Sequence, residues 1–325
     1  MKKLRWGLLS TARINRALIK PIRASRRNEL VAVASRTLEK AQTYADEWEI
    51  PRVFGSYEAM LADPDIDVIY NSLPNSMHAE WTIKAAEAGK HVLCEKPLAI
   101  TVGEVDAILA AGEEAGVTIM EAFMYRHHPQ NEKIKELINK GAIGELRLIR
   151  GSFSFNLDSP NNIRLDPALG GGSLWDIGCY PISFARMIAD AEPIEAFGWQ
   201  ITGASGVDET FTGQLRFPDD LYLQFDCSFQ TPYRVHMEIV GSENAIIVPQ
   251  PYKPGSKEKI FLGDGNKKKK ISMPGEGLYR GQVENMADVI LDNKALCVSL
   301  SDSRNNIAAI KALLQSAREG KVISI

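Results

Sequence analysis

Cysteine occurs only four times in 325 residues, and Cys94, Cys179, Cys227 and Cys297 share no CxxC or other metal-ligand spacing. That scarcity argues against a disulfide framework and points to a reducing compartment. Histidine is equally sparse. Five of them, with His127 and His128 the one adjacent pair, do not supply the three or four converging ligands a metal centre needs, so no metal is expected. No window approaches the roughly 20 apolar residues of a membrane span. The apolar stretch after Lys2, Lys3 and Arg5 is cut by Arg13, short of the about 7–15 residues of a secretory signal. A cytoplasmic protein with no membrane partner is expected. A basic surplus is also missing: 38 Lys and Arg against 41 Asp and Glu leave a net charge of −3. Phosphate binders usually carry positive charge, so nucleic acid is not the expected partner. The one strong charge run, Lys267 to Lys270 beside Gly263, Asp264, Gly265 and Asn266, reads as a solvated hairpin tip.

What is present is ordinary globular material. Hydrophobic residues make up 45% of the chain, which excludes a disordered polypeptide, and the length suggests two domains. Residues 4–9, 30–34, 68–73, 91–94 and 118–123 are continuous apolar runs, as strands buried on both faces should be. Helix-period stretches lie between them, and Gly89 and Gly116 fall where C-terminal caps belong. This alternation predicts a parallel sheet with helices on both faces. Pro21 interrupts the first helical stretch, where a kink or break is expected. After about residue 123 the pattern changes. Residues 145–158, 194–204, 209–217, 221–230, 235–240 and 244–248 read as strands of an antiparallel meander, with helices at 129–140, 175–189, 281–292 and 302–319. The division predicted is residues 1–123 and 124–325.

Two strand ends in the first part resemble nucleotide-binding turns. The first strand runs into Gly7-Leu-Leu-Ser10-Thr11-Ala12-Arg13-Ile14, where a dinucleotide fingerprint would have three glycines. Only Gly7 remains, with Ser10 and Ala12 as small substitutes, and a helix N-terminus would face the pyrophosphate. The second strand ends in Ala34-Ser35-Arg36. An NAD site places an acid here for the ribose 2′-hydroxyl. A hydroxyl and a guanidinium suit a 2′-phosphate instead, so NADP is expected over NAD.

Two further constellations carry chemistry. Glu95-Lys96-Pro97 closes the fifth run, at the strand ends where such sheets bind ligands, and a cis bond before Pro97 would aim Lys96 into the crevice. Gly170-Gly171-Gly172-Ser173-Leu174-Trp175-Asp176-Ile177-Gly178-Cys179-Tyr180 places a carboxylate and a phenol at i and i+4 of a helix. The glycines permit close backbone approach or a sharp turn.

Taken together, Gly7-x-x-Ser10-x-Ala12-x-Ile14, Ala34-Ser35-Arg36, Pro74-Asn75-Ser76-x-His78, Glu95-Lys96-Pro97 and Gly170-Gly-Gly-x-Leu174-x-Asp176-x-Gly178-x-Tyr180 are in an order that resembles the glucose–fructose oxidoreductase/inositol dehydrogenase/MocA family of sugar oxidoreductases. Arg5-Trp6-Gly7, Leu93-Cys94, Met120-Glu121-Ala122 and Tyr180, where many members have histidine, are most similar to NADP-dependent D-xylose dehydrogenases and dimeric trans-dihydrodiol dehydrogenases. The resemblance implies an N-terminal Rossmann fold with a parallel sheet, and a C-terminal α+β domain with a large, mostly antiparallel open sheet. It implies cofactor contacts from Gly7, Ser10, Thr11, Ala12, Arg13, Ile14, Ser35, Arg36, Leu73, Pro74, Asn75, His78, Glu95, Lys96 and Arg126. Tyr180 would be the general acid/base. Lys96 would favour its phenolate, because an ordinary Tyr pKa of about 10 is too high for a base at pH 7. Asp176 would hold a neighbouring substrate hydroxyl, and Tyr279 and Gln282 would reach toward the crevice. Phe153, Phe155 and Asn156 either line the substrate side or only form an amphipathic strand.

The implied activity is NADP-dependent hydride transfer to or from a sugar or cyclic diol, either oxidation of an aldose at C1 or reduction of a keto-sugar. A non-catalytic NADP-binding sensor would have no need of Lys96 with Tyr180. A reductase of a non-sugar carbonyl would have no need of Asp176. The broad sheet face of the second domain calls for a cover, so a homodimer or homotetramer through that sheet is expected.

Overall fold

The apolar runs of the first part are strands because burial on both faces leaves no polar side to alternate with. The computed structural model describes residues 3–264, 266–275 and 277–325. In it β1 (Leu4–Leu8), β2 (Asn28–Ala34), β3 (Arg52–Phe54), β4 (Val68–Asn71), β5 (His91–Cys94) and β6 (Ile119–Glu121) form one parallel sheet in the order β3-β2-β1-β4-β5-β6. The order reverses between β1 and β4, and the loops leaving those two strands flank the reversal, where such sheets take ligands. The helices between these strands are α1 (Arg16–Ala24), α2 (Leu38–Trp48), α3 (Tyr57–Leu61), α4 (His78–Glu87) and α5 (Val102–Ala115). Local chemistry sets their ends. Thr101 and Glu104 form a reciprocal capping box at the start of α5, and Gly116 closes it with φ 62°.

Helix α3 falls on the helix-period stretch 56–61, whereas strand β3, with three half-buried residues at the sheet edge, was not legible in sequence. Nor does Pro21 break the chain, since α1 continues across it. A short 3-10 turn, Arg13–Asn15, takes up the start of that stretch, so α1 begins only at Arg16 and carries Pro21 inside it.

The second sheet has nine strands: β7 (Leu146–Ser154), β8 (Glu195–Thr202), β9 (Asp208–Arg216), β10 (Tyr222–Ser228), β11 (Arg234–Gly241), β12 (Ala245–Val248), β13 (Lys257–Gly263), β14 (Lys268–Pro274) and β15 (Ile323–Ser324). Its order is β14-β13-β12-β11-β7-β10-β9-β8-β15. The expected meander is therefore interrupted: β7 lies between β11 and β10 and runs parallel to β10, with Tyr222 opposite Leu148 and Ser228 opposite Ser154. A parallel pair needs a long crossover. The excursion after β7, which includes α7 (Cys179–Ala189), provides it. One sheet face is apolar, with Ile149, Phe153, Leu215, Phe225 and Ile239 buried, and α7 packs on it. The other face carries Trp199 and Ile201, about 60% exposed (61% and 58%).

Helix α6 (Pro129–Asn139) precedes β7, while α8 (Arg280–Asp292) and α9 (Leu300–Glu319) follow β14. The hairpin expected around the lysine run is present. Its turn is held by Asp264 Oδ1, which accepts from Asn266 N and Lys267 N at 3.0 and 3.1 Å. Gly265 lies outside the described residues. Lys268, Lys269 and Lys270 are not at the tip but run on into β14, exposed on an edge strand, where charge discourages further pairing.

The sequence reading divides the chain once, at 123. By contacts it falls into a unit of Met1–His127 with Tyr279–Arg304, and a unit of His128–Leu278 with Asn305–Ile325.

Candidate active site

In the first unit, the loop after β1 is fixed by hydroxyls. Ser10 Oγ accepts from Ala12 N at 3.1 Å and lies 2.8 Å from Ser72 Oγ. Ser72 Oγ donates to Asn15 Oδ1 at 2.6 Å, and Asn15 Nδ2 returns to Ser10 O at 2.7 Å. These bonds tie the loop after β1 to the loop after β4. Ser10 is thus spent on loop shape, while Thr11, Ala12 and Ile14 are half-buried and Arg13 is exposed. Gly7 lies inside β1, where a Cβ would stand 3.0 Å from Met60 Sδ and 3.3 Å from Ile66, so a larger residue would have to displace those side chains. Sequence reasoning missed Asn15 and Ser72. Asn15 directly follows the motif, but nothing in its spacing shows a partner 57 residues away.

At the end of β2, Ser35 is buried and its N–H donates to Phe54 O at 3.1 Å. Arg36 is exposed and, among the described residues, forms no ion pair. The cap of α2 is Thr37, which accepts from Lys40 N.

The loop after β4 holds Leu73, Pro74 and Asn75, the last opening a 3-10 turn. His78 is fully buried and braces this loop. One ring nitrogen meets Leu73 O and the other Pro97 O, both at 2.7 Å, and burial pushes its pKa down. At the end of β5 the Lys96-Pro97 bond is cis. Glu95 accepts from the Tyr70 hydroxyl, a partner the sequence did not suggest because Tyr70 lies within a buried apolar run. Burial and the charge of Glu95 push Tyr279 up to about 12. Lys96 is half-buried. Gln282 is buried with neither amide atom bonded to protein among the described residues. Arg126 Nη1 donates to Asp302 Oδ2 at 3.1 Å, so this guanidinium has a carboxylate partner within its own unit.

In the second unit, the glycine run turns the chain sharply. Gly170 has φ 75° and Gly172 φ 124°. A Cβ at Gly171 would overlap the main chain of Arg164, and one at Gly172 would overlap Asp208 Oδ1. The close approach the glycines allow is therefore to the protein itself. The helix expected over 175–189 begins instead with a π-type stretch, Leu174–Gly178, before α7. Wide turns of this kind recur at functional sites. They alter the phase between Asp176 and Tyr180 relative to an ordinary i, i+4 pair.

Asp176 is held by Arg164, whose Nε lies 2.6 Å from Oδ2, a short charge-assisted bond. Arg164 sits in a loop with no periodicity to flag it, and the sequence reading passed over it. The Tyr180 ring is 4% exposed and packs edge-on to Phe153 at 5.5 Å, with Tyr252 at 5.4 Å. Tyr252 spends its own hydroxyl on Met237 Sδ at 2.9 Å, so it serves as backing. Phe153 stacks on Tyr252 and carries Lys253 Nζ 5.6 Å from its ring centre. Phe155 lies past the end of β7, tilted on Phe229.

Comparison with known proteins bears on this arrangement. Residues 4–123 match the model of an oxidoreductase family with an NAD-binding Rossmann fold, and residues 131–247 match the GFO/IDH/MocA C-terminal domain. The D-xylose 1-dehydrogenase (NADP(+)) 2 of Haloferax volcanii is 34% identical over 98% of this chain and 99% of its own. The chain belongs to the GFO/IDH/MocA oxidoreductase family. Within that family, the trans-1,2-dihydrobenzene-1,2-diol dehydrogenase of Xenopus laevis is 34% identical over 75% of each chain. Among solved structures, KijD10, a 3-ketoreductase from Actinomadura kijaniata determined with NADP and TDP-benzene, superposes with a TM-score of 0.92 at 26% identity, covering 97% of this chain and 98% of that one. As a GFO/IDH/MocA protein the chain is an oxidoreductase with a nicotinamide-dinucleotide-binding Rossmann unit and a mixed, mostly antiparallel second sheet. No helix among the described residues is long and apolar enough to cross a membrane.

Proposed function

We infer that this GFO/IDH/MocA oxidoreductase uses NADP to oxidise or form a hydroxyl on a sugar or cyclic diol. The observation that carries the reading is the segment 174–180, which presents a carboxylate locked by Arg164 and a phenol set on an aromatic base. The names of the D-xylose dehydrogenase, the dihydrodiol dehydrogenase and the 3-ketoreductase support a hydroxylated substrate.

The first unit fits the cofactor. An exposed guanidinium without a carboxylate partner among the described residues, and with no acid beside it at the end of β2, suits a 2′-phosphate better than a 2′-hydroxyl. Arg13 and the main chain of 11–14 stand beyond the Ser10–Ser72–Asn15 clamp and would meet the pyrophosphate, with Leu73, Pro74, Asn75 and Glu95 toward the nicotinamide. In contrast, His78 has both nitrogens on main-chain carbonyls and Arg126 pairs with Asp302, so each would act by shaping the loop rather than by direct contact.

When bound, the nicotinamide supplies or accepts the hydride. Tyr180 moves the proton: in oxidation its phenolate takes the proton of the reacting hydroxyl, and in reduction its phenol returns one to the new alkoxide. The Lys96 ammonium favours the phenolate, and Asp176 accepts from an adjacent substrate hydroxyl. The exposed apolar residues of β8 would be covered in a homodimer formed through the second sheet.

A panel of aldoses, keto-sugars and diols, assayed with NADPH and NADH in parallel, tests the reading. Tyr180→Phe should abolish turnover while NADPH still binds, and normal turnover in that variant would refute the mechanism.

A further inference from the structure

The geometry points to Asp208 as a positioning residue, whose buried carboxylate sets the helical segment that carries Asp176 and Tyr180. This rests on the roles given to those two residues above. Asp208 opens β9 and is 5% exposed. Its Oδ2 accepts from Ser173 Oγ at 2.8 Å and from Leu174 N at 2.7 Å. Leu174 N is one of the donors that the first turn of a helix leaves without an internal acceptor, and negative charge suits that end. An N-cap residue normally supplies the acceptor, yet Ser173 makes no such bond to the turn, so the strand supplies it instead. The third point of the grip is steric, because Gly172 leaves room for Asp208 Oδ1 where a Cβ would overlap it.

One carboxylate thus engages three consecutive residues, 172–174. Asp176 N then donates to Gly172 O at 3.0 Å, which carries the same register into the π-type turn. A rotation of this first turn would swing Asp176 and Tyr180 together, and small misplacements of reacting groups are costly in rate.

The surroundings make the grip depend on pH. Burial pushes the Asp208 carboxyl up to about 6, opposed by the Leu174 and Ser173 donors. The titratable group facing it from β10 is the Cys227 thiol, which burial holds neutral. Glu209, the next residue of β9, points to the opposite face and accepts from Gln230 at 2.7 Å. Among the described residues no basic side chain pairs with Asp208, so the hydrogen bonds alone keep it ionised. Below about pH 6 the carboxyl takes a proton and one of its acceptor sites becomes a donor, which loosens the turn.

The test is steady-state kinetics across pH with the best substrate of the panel, together with NADPH binding followed by fluorescence. Asp208→Asn should keep the NADPH Kd within about twofold, lose about tenfold or more in kcat, and lack the acid limb that the wild type shows near pH 6. Ser173→Ala removes one donor and leaves the carboxylate in place, so the acid limb should move up by about one pH unit. An acid limb governed by Tyr180 would not respond to Ser173. This second variant keeps the test decisive if Asp208→Asn fails to fold. Superimposable pH profiles for Ser173→Ala and wild type would overturn the proposal. Absence of wild-type turnover on every sugar and diol would instead overturn the functional reading, and the proposal with it.

Discussion

Replacing Arg36 with alanine should weaken NADPH binding at least about tenfold and leave NADH within about twofold. Arg36 stands exposed at the end of β2, and no carboxylate among the described residues already neutralises it. A hydrogen bond to a charged group contributes about 1.5–3 kcal/mol. Exposure and salt screening place this contact toward the lower end. The lower end still corresponds to about a factor of ten in Kd. The strand end itself should survive, because Ser35 is buried and bonded through its own N–H to Phe54 O, and Thr37 caps α2 independently. The loss would therefore report the phosphate contact and not a disturbed fold. Titrating each cofactor against wild type and variant at about 50 mM and about 500 mM salt measures both parts, since screening should narrow the wild-type preference for NADPH and barely affect the variant. Equal loss of NADPH and NADH, or no loss of either, would refute the 2′-phosphate assignment.

His78→Ala should destabilise the first unit by about 1–3 kcal/mol, because the neutral imidazole donates its one N–H to Leu73 O or Pro97 O and that buried carbonyl loses its donor. Denaturant unfolding within about 0.5 kcal/mol of wild type would remove the brace from the account. The protein should sediment as a dimer or larger oligomer at micromolar concentration, given the exposed Trp199 and Ile201, and a monomer there would contradict the covered-sheet expectation.

Much of the architecture was legible because it depends on short-range pattern. The runs that became β1, β4 and β5 are apolar apart from Arg5, Asn71 and His91, and the cap at Gly116 needs only local chemistry. The strands of the second sheet were legible one by one but their order was not. Nothing in the alternation of β7 or β10 states that the two lie side by side and parallel, since alternation marks which face of a strand is buried and not which strand lies beside it. Strands β13 and β14 were lost to the lysine run, which reads as a turn although three of its residues continue an edge strand.

The sequence by itself determined which residue types meet the chemistry. Ser35 and Arg36 at a strand end, Glu95-Lys96-Pro97, and Asp176 with Tyr180 after three glycines can all be named without coordinates, because each is defined by spacing along one element. Tertiary structure decided what each of these residues is free to do. It spends Ser10 on Ser72, sets His78 between two carbonyls, and pairs Arg126 with Asp302. It also supplies the partners no motif contains: Arg164 on Asp176, and Asp208 on the turn that precedes it. The physical reason is that a hydrogen bond depends on distance in space, and residues far apart along the chain become neighbours only once the sheets have closed.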